Sequence, residues 1–157
     1  MIGRAVALIA LLAAGCQAPR VAEGPAAVAR FYLEAPADGA TRVVLPVSEL
    51  ELAIEPKPVL TEHDFATVEL TELELGKAVT FGLTPMASRD LYRLTAANQG
   101  RRLVLVVEGE AVGARPIEAP IEDGMLAVFI ELPDEELPEL VRRLERMALN
   151  VREARKR

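Results

Sequence analysis

The stretch that most restricts what this chain can fold into is Leu83 to Val107, where a fully punctuated helix leads straight into an apolar strand. Thr84 offers a side-chain oxygen to cap the helix, and Pro85 takes the first helical position, where no amide hydrogen is needed. Ala87, Leu91 and Leu94 recur at spacings of four and three and so line one stripe. Asn98-Gln99-Gly100 ends the helix, with Gly100 suited to the left-handed residue that closes many helices. Leu103 to Val107 is apolar on both faces, the pattern of a strand buried inside a sheet.

The flanking segments read as strands with interruptions. Val43, Leu45 and Val47 share one parity while Leu50, Leu52 and Ile54 share the other, which predicts a turn or bulge near Ser48, since a strand cannot switch faces unbroken. A similar flip separates Val68 and Leu70 from Leu73 and Leu75 and predicts a switch at Thr71-Glu72. Gly76 ends that run, and Val79, Phe81 and Leu83 alternate cleanly. Glu108-Gly109-Glu110 predicts a hairpin turn. Ala111 to Ile121 is weakly patterned and interrupted by Pro116 and Pro120, whereas Met125 to Leu132 is a second largely apolar strand. Asp134 is the expected cap of a last helix, with Glu135, Glu136 and Glu139 at the positive end of its dipole. Leu137, Leu140, Val141, Leu144, Met147 and Ala148 form its apolar stripe. Arg142, Arg143 and Arg146 lie off that stripe, and Arg152, Arg155, Lys156 and Arg157 follow. This basic end reads as a solvated, dipole-matched terminus, with contact to anionic lipid head groups as the other reading. The expected fold is a single α+β domain in which two helices, about 84–99 and 134–150, pack on a largely antiparallel sheet.

Ahead of this domain, Met1 to Gly15 has the parts of a secretory signal: Arg4, the apolar run Ala5 to Ala14, and small residues before a cut. The run is too short to span a bilayer, which takes about 20 residues. Leu11-Leu12-Ala13-Ala14-Gly15-Cys16 resembles the lipobox of bacterial lipoproteins, although Ala13 stands where that pattern prefers Leu. The resemblance implies diacylglyceryl transfer to Cys16, the only cysteine, and hence attachment to the membrane through lipid on the periplasmic side of the cell envelope. Gln17, where an Asp would favour retention at the inner membrane, leans the expectation toward the outer membrane. The expected organisation is a signal over residues 1–15, lipidated Cys16 and a flexible tether over 16–30, the α+β domain over 31–150 and a basic tail over 151–157.

Within the domain, Val59-Leu60-Thr61, Glu74-Leu75-Gly76, Leu83-Thr84-Pro85, Leu94-Thr95-Ala96-Ala97-Asn98-Gln99-Gly100-Arg101, Glu108-Gly109, Pro116 and Ile121 to Gly124 follow one another in an order similar to the periplasmic head subdomain of SecD, a subunit of the bacterial protein-export machinery. The similarity runs from about Pro58 to Leu144, and the Leu-Thr-Ala-Ala-Asn-x-Gly-Arg run is its specific part. Phe129-Ile130-Glu131-Leu132 departs from the Ile-Ser-Gly type turn common in that family. SecD carries its head on a larger periplasmic base and on transmembrane helices, for which no counterpart is expected here. The resemblance implies contact with an export component or an exported polypeptide, without the means to drive transport.

No chemistry is expected. His63, the only histidine, sits between Glu62 and Asp64 as a solvated loop residue, so neither a histidine metal cluster nor a Ser-His-acid triad can be assembled. Ser48 and Ser88 are the only serines, and neither lies in a Gly-x-Ser-x-Gly elbow. Glu72 and Glu74 could pair on one strand face, but with 24 acidic residues such pairs arise by chance. No glycine-rich phosphate loop, cofactor site or metal site is expected. A net charge of −6 and 4% aromatic residues argue against a nucleic-acid partner. The chain therefore reads as a non-catalytic, lipid-anchored binding module linked to protein export, whose sheet edge at Val43 to Ile54 is a candidate for strand addition. The alternative is a structural or small-ligand-binding envelope lipoprotein unrelated to export.

Overall fold

The strand at Leu103 to Val107 is buried on both faces because two different structures cover it. The computed structural model of the protein describes residues 25–36 and 40–157; the expected signal, Cys16 and the first part of the tether lie outside them. The described elements are β1 (Ala29–Leu33), β2 (Thr41–Val44), β3 (Glu51–Ile54), β4 (Phe65–Leu73), β5 (Gly76–Leu83), α1 (Pro85–Ala97), β6 (Arg102–Val107), β7 (Glu110–Pro116), β8 (Met125–Phe129) and α2 (Leu137–Ala154). They form an α+β domain with three antiparallel sheets, ordered β1-β6-β7, β2-β3 and β4-β5-β8. The single sheet of the sequence reading is thus divided.

One face of β6 sends Leu103, Leu105 and Val107 into the main core, with Phe31 from β1, Phe81 from β5 and the apolar stripes of both helices. Phe31, Phe65 and Phe81 meet there with ring centroids 4.8–6.0 Å apart. The other face sends Val104 against Leu45, Leu52 and Ile54 of the β2–β3 hairpin, a second small core. Alternation along β6 therefore feeds two apolar layers.

The turn expected near Ser48 is present, between β2 and β3, with Glu49 at φ 54°. The switch expected at Thr71-Glu72 is not. The irregularity in β4 falls between Phe65 and Thr67, and the strand runs on to Leu73 with that residue on the outer face. Glu108 and Gly109, both at positive φ, form the two-residue β6–β7 turn, the requirement of a primed hairpin turn.

Helix α1 has its expected cap, with the Ala87 amide donating to Thr84 Oγ1. Helix α2 starts at Leu137 and continues to Ala154, later and longer than expected. Pro138 fixes the start, because proline is accommodated in the first turn. Asp134 is not its cap; it pairs with Lys77 at 3.1 Å. At the other end of the domain, packing begins before Phe31: Ala27 and Ala29 are wholly buried, and the Ala27 amide donates to Arg143 O at 3.2 Å.

Candidate binding cleft

Residues of β8 alternate between the two faces of its sheet. Leu126 and Val128 enter the core, so Met125, Ala127 and Phe129 point away from it. Register places Ala127 beside Thr80 and Phe129 beside Ala78, small neighbours that leave the larger side chains standing proud. At the β4–β5 turn, Leu73 is 41% and Leu75 86% exposed, and Phe129 is 41% exposed. These residues line an open cleft of about 730 Å³, together with Ala114 and Pro116 of β7 and the segment Glu118–Asp123. Leu75 and Phe129 are thus not misplaced core residues but part of one apolar surface.

The walls are held by the sequence run that resembled SecD. Thr95, wholly buried in α1, donates from Oγ1 to Leu91 O (2.8 Å) and accepts from the Ile121 amide (3.0 Å). The Gly100 amide donates to Ile117 O and the Ile117 amide to Arg101 O, each at 2.8 Å. Both ends of the 117–121 segment are therefore fastened to the α1–β6 corner. Arg101 ties that corner further, donating to Asn98 Oδ1 (2.6 Å), to Glu34 O and to Glu55 Oε1 (2.7 Å). The motif works as scaffold, and the cleft wall is what it holds.

The floor depends on a close approach. Val112 is an extra residue in β7, where the pairing slips between Leu105 and Val106, and Glu131 donates its amide to Val112 O at 2.7 Å. Next to it, Gly113 lies so near β8 that a Cβ there would sit 2.4 Å from Phe129 O. Arg115 donates to Ala127 O at 3.2 Å. With Arg115 on one side and Glu118, Glu122 and Asp123 on the other, the rim carries more negative than positive charge.

The residues expected to be chemically idle are occupied elsewhere. His63 is exposed; beside it Glu62 accepts from Arg30 (3.1 and 3.2 Å), and Asp64 accepts from the Thr61 amide and hydroxyl. The Arg30 hydrogen bond holds the Glu62 carboxyl below its ordinary pKa, against a smaller opposing effect of burial. Ser48 donates to Glu131, which also accepts from the Val47 and Ser48 amides (3.0 and 2.8 Å) and so anchors the β2–β3 turn to the end of β8. Burial raises the Glu131 pKa, but these bonds together outweigh it and bring the carboxyl below its ordinary value. Glu72 lies across from Lys77, with Glu74 in the adjoining turn. Among the described residues no group of three or more His, Cys, Asp or Glu could hold a metal ion. The expected lipidation site, Cys16, lies outside the described residues. The β2 edge expected to accept a strand is only four residues long and pairs with β3 alone. The cleft was missed in the sequence, where the only hint was the parity of Leu73 and Leu75.

No protein-family model matches the chain, and no curated protein matches it at a significant level. Solved structures do. The chain is similar to SecDF in its super-membrane-facing form, with a TM-score of 0.61 and 26% identity over 76% of this chain and 18% of that one. It is similar to a structure of SecDF described as a membrane component that enhances protein export, with a TM-score of 0.60 and 25% identity over 78% of this chain and 63% of that one. The fold is also shared with SecDF of Thermus thermophilus, a translocon-associated membrane protein, at a TM-score of 0.54 and 22% identity over 79% of this chain and 20% of that one. This chain spans less than two thirds of each, and no helix among its described residues is long and apolar enough to cross a membrane. Over about three quarters of its length, then, the chain has a SecD-like fold.

Proposed function

We propose that this chain is a non-catalytic module of the cell envelope that holds an extended, apolar stretch of polypeptide in the cleft along β8, in connection with protein export. The observation that carries the reading is the open apolar surface formed by Leu73, Leu75, Ala127 and Phe129. Exposed apolar patches of this kind mark interaction sites, and an open cleft suits a chain laid across it better than a small molecule enclosed on all sides. The likeness to SecDF, described as enhancing protein export, supports the connection with export. The lipobox-like run ending at Cys16 supports a lipid tether on the periplasmic side, and Gln17 supports the outer membrane. The role proposed for the cleft is to hold a polypeptide, not to drive its movement.

The test is titration of the purified full chain with a fluorescein-labelled peptide rich in Leu and Ala, followed by anisotropy. Leu75→Ser is expected to weaken binding about tenfold, the effect of losing most of one leucine contact, while stability changes by no more than about 0.5 kcal/mol because the side chain is exposed. Saturable binding that is equally tight in parent and Leu75→Ser, or no binding by the parent, would remove the cleft from the proposal.

A further inference from the structure

Two sheets meet at the floor of the cleft. β7 is an edge strand of the β1-β6-β7 sheet, and β8 is an edge strand of the β4-β5-β8 sheet. At the floor they touch: the Glu131 amide donates to Val112 O at 2.7 Å, and Phe129 O lies over Gly113. Beyond that point they part without forming a ladder, and the long side chain of Arg115 crosses the gap to reach Ala127 O.

Register decides which backbone groups line the gap. Along an antiparallel pair, residues that exchange hydrogen bonds alternate with residues whose N–H and C=O point away from the partner. The Leu83 amide donates to Gly124 O at 3.0 Å, so the exchanging pairs continue as Phe81–Leu126 and Val79–Val128. Met125, Ala127 and Phe129 therefore turn their backbone groups to the free edge of β8. Two contacts agree with that parity: the Met125 amide donates to Asp123 Oδ1 at 3.0 Å, and Ala127 O accepts from Arg115. On β7 the Ile117 amide donates to Arg101 O, so Leu103–Arg115 and Leu105–Gly113 exchange bonds and Ala114 faces away from β6. Pro116 shares that outward parity and has no N–H to leave bare, as suits a proline on an edge strand. The amides of Ala114, Ala127 and Phe129 thus face the gap without a backbone acceptor among the described residues.

We infer that the polypeptide held in the cleft enters as an added β-strand between β7 and β8, bonded through its main chain. The inference rests on the holding role proposed above and names how the cleft grips its chain. Donors and acceptors spaced two residues apart along a strand edge match the repeat of an extended polypeptide, which a small molecule does not offer. Main-chain bonds are the same for every sequence, so the edges grip the backbone while Leu73, Leu75 and Phe129 favour apolar side chains. The oxygen of Ala127 has two lone pairs, so Arg115 and an entering N–H can share it. β8 is five residues long and so pairs with about 15 Å of extended chain.

The experiment compares two fluorescein-labelled peptides rich in Leu and Ala on the purified full chain. One is an ordinary peptide; in the other, esters replace the central amides, which removes N–H groups and keeps every side chain. The ordinary peptide is expected to bind saturably and the ester analogue about tenfold more weakly, the effect of losing two main-chain hydrogen bonds. Hydrogen exchange at the Ala114, Ala127 and Phe129 amides is expected to slow at least about tenfold when the ordinary peptide binds. An ester analogue that binds as tightly as the ordinary peptide overturns the added strand and leaves the cleft itself as the binding surface. If neither peptide binds, both readings fall. Exchange at these amides that slows with protein concentration alone, and no further with peptide, assigns the gap to a second copy of the chain and overturns the inference.

Discussion

Replacing Thr95 by Val keeps the shape of a wholly buried side chain and removes one oxygen. In the parent that oxygen donates to Leu91 O and accepts from the Ile121 amide, and Ile121 is itself buried. Leu91 O retains its place in the helix ladder, so the loss falls mainly on the Ile121 N–H, which is left without its acceptor away from water. An orphaned buried donor costs about 1–3 kcal/mol, and the extra methyl recovers little in a site already full, so the expected destabilisation is about 2 kcal/mol. That corresponds to a fall in Tm of roughly 5–10 °C for a domain of this size. Urea unfolding followed by circular dichroism gives the free energy, and hydrogen exchange at the Ile121 amide gives the local effect. Thr95→Ser separates the two contributions: it keeps the acceptor and loses a methyl, so protection of the Ile121 amide should survive while stability falls by about 1 kcal/mol. Because the 117–121 segment walls the cleft, Thr95→Val should also weaken peptide binding where Thr95→Ser does not. A Thr95→Val protein within about 0.5 kcal/mol of the parent, with unchanged exchange at Ile121, would refute the assignment of this hydroxyl as the fastening of the wall.

Two further outcomes test the packing around the cleft. Gly113→Ala places a Cβ 2.4 Å from Phe129 O and 3.1 Å from Val128 Cγ1, with backbone as the first obstacle; a loss of about 3 kcal/mol is expected in urea unfolding, and a loss below about 1 kcal/mol would mean that β7 and β8 are not held so close. Glu131 and Glu62 both have folded pKa values lowered from 4.5, so their contribution is complete above that pH and is lost as pH falls through the lower folded values; Glu131→Gln should flatten the stability–pH curve below about pH 4.5, and a curve identical to the parent's would show that the β2–β3 turn does not depend on the carboxylate.

The parts of the fold that were legible are those where local chemistry and tertiary packing agree. Thr84 and Pro85 start α1 by rules that operate within one turn, and the structure obeys them; Gly100 has the expected positive φ, but it lies two residues past the cap Asn98 and its amide bonds Ile117 O instead of closing the helix. β6 was legible as a buried strand because both its faces are covered, although nothing local said that a separate hairpin covers one of them. β7 was not legible. Val112 bulges out of register, which reverses the apolar parity halfway, and Gly113 is small because β8 crosses it and not because the chain turns there. The cleft was hidden for a related reason. Leu73, Leu75 and Phe129 look like core residues in sequence, and a parity flip is usually explained by a bulge. Here the strand keeps its register through Leu73, which faces out, and Leu75 stands exposed in the turn that follows. Apolar residues on the outer face carry no mark in the sequence that distinguishes a binding surface from a core.

The two faces of the β4-β5-β8 sheet have different surroundings. Helix α2 joins the core on the face that holds Val68, Val79, Phe81, Leu126 and Val128, while Ala127 and Phe129 open into the cleft from the other. Alternation along β8 therefore puts its odd-numbered residues toward the cleft and its even-numbered residues toward α2. The hydrogen-bonded geometry of the α1–β6 corner then has a purpose that does not require contact with the bound polypeptide. Thr95, Gly100 and Arg101 fix the cleft wall relative to a sheet whose opposite face is packed against α2, so the shape of the cleft follows from the packing of the core behind it.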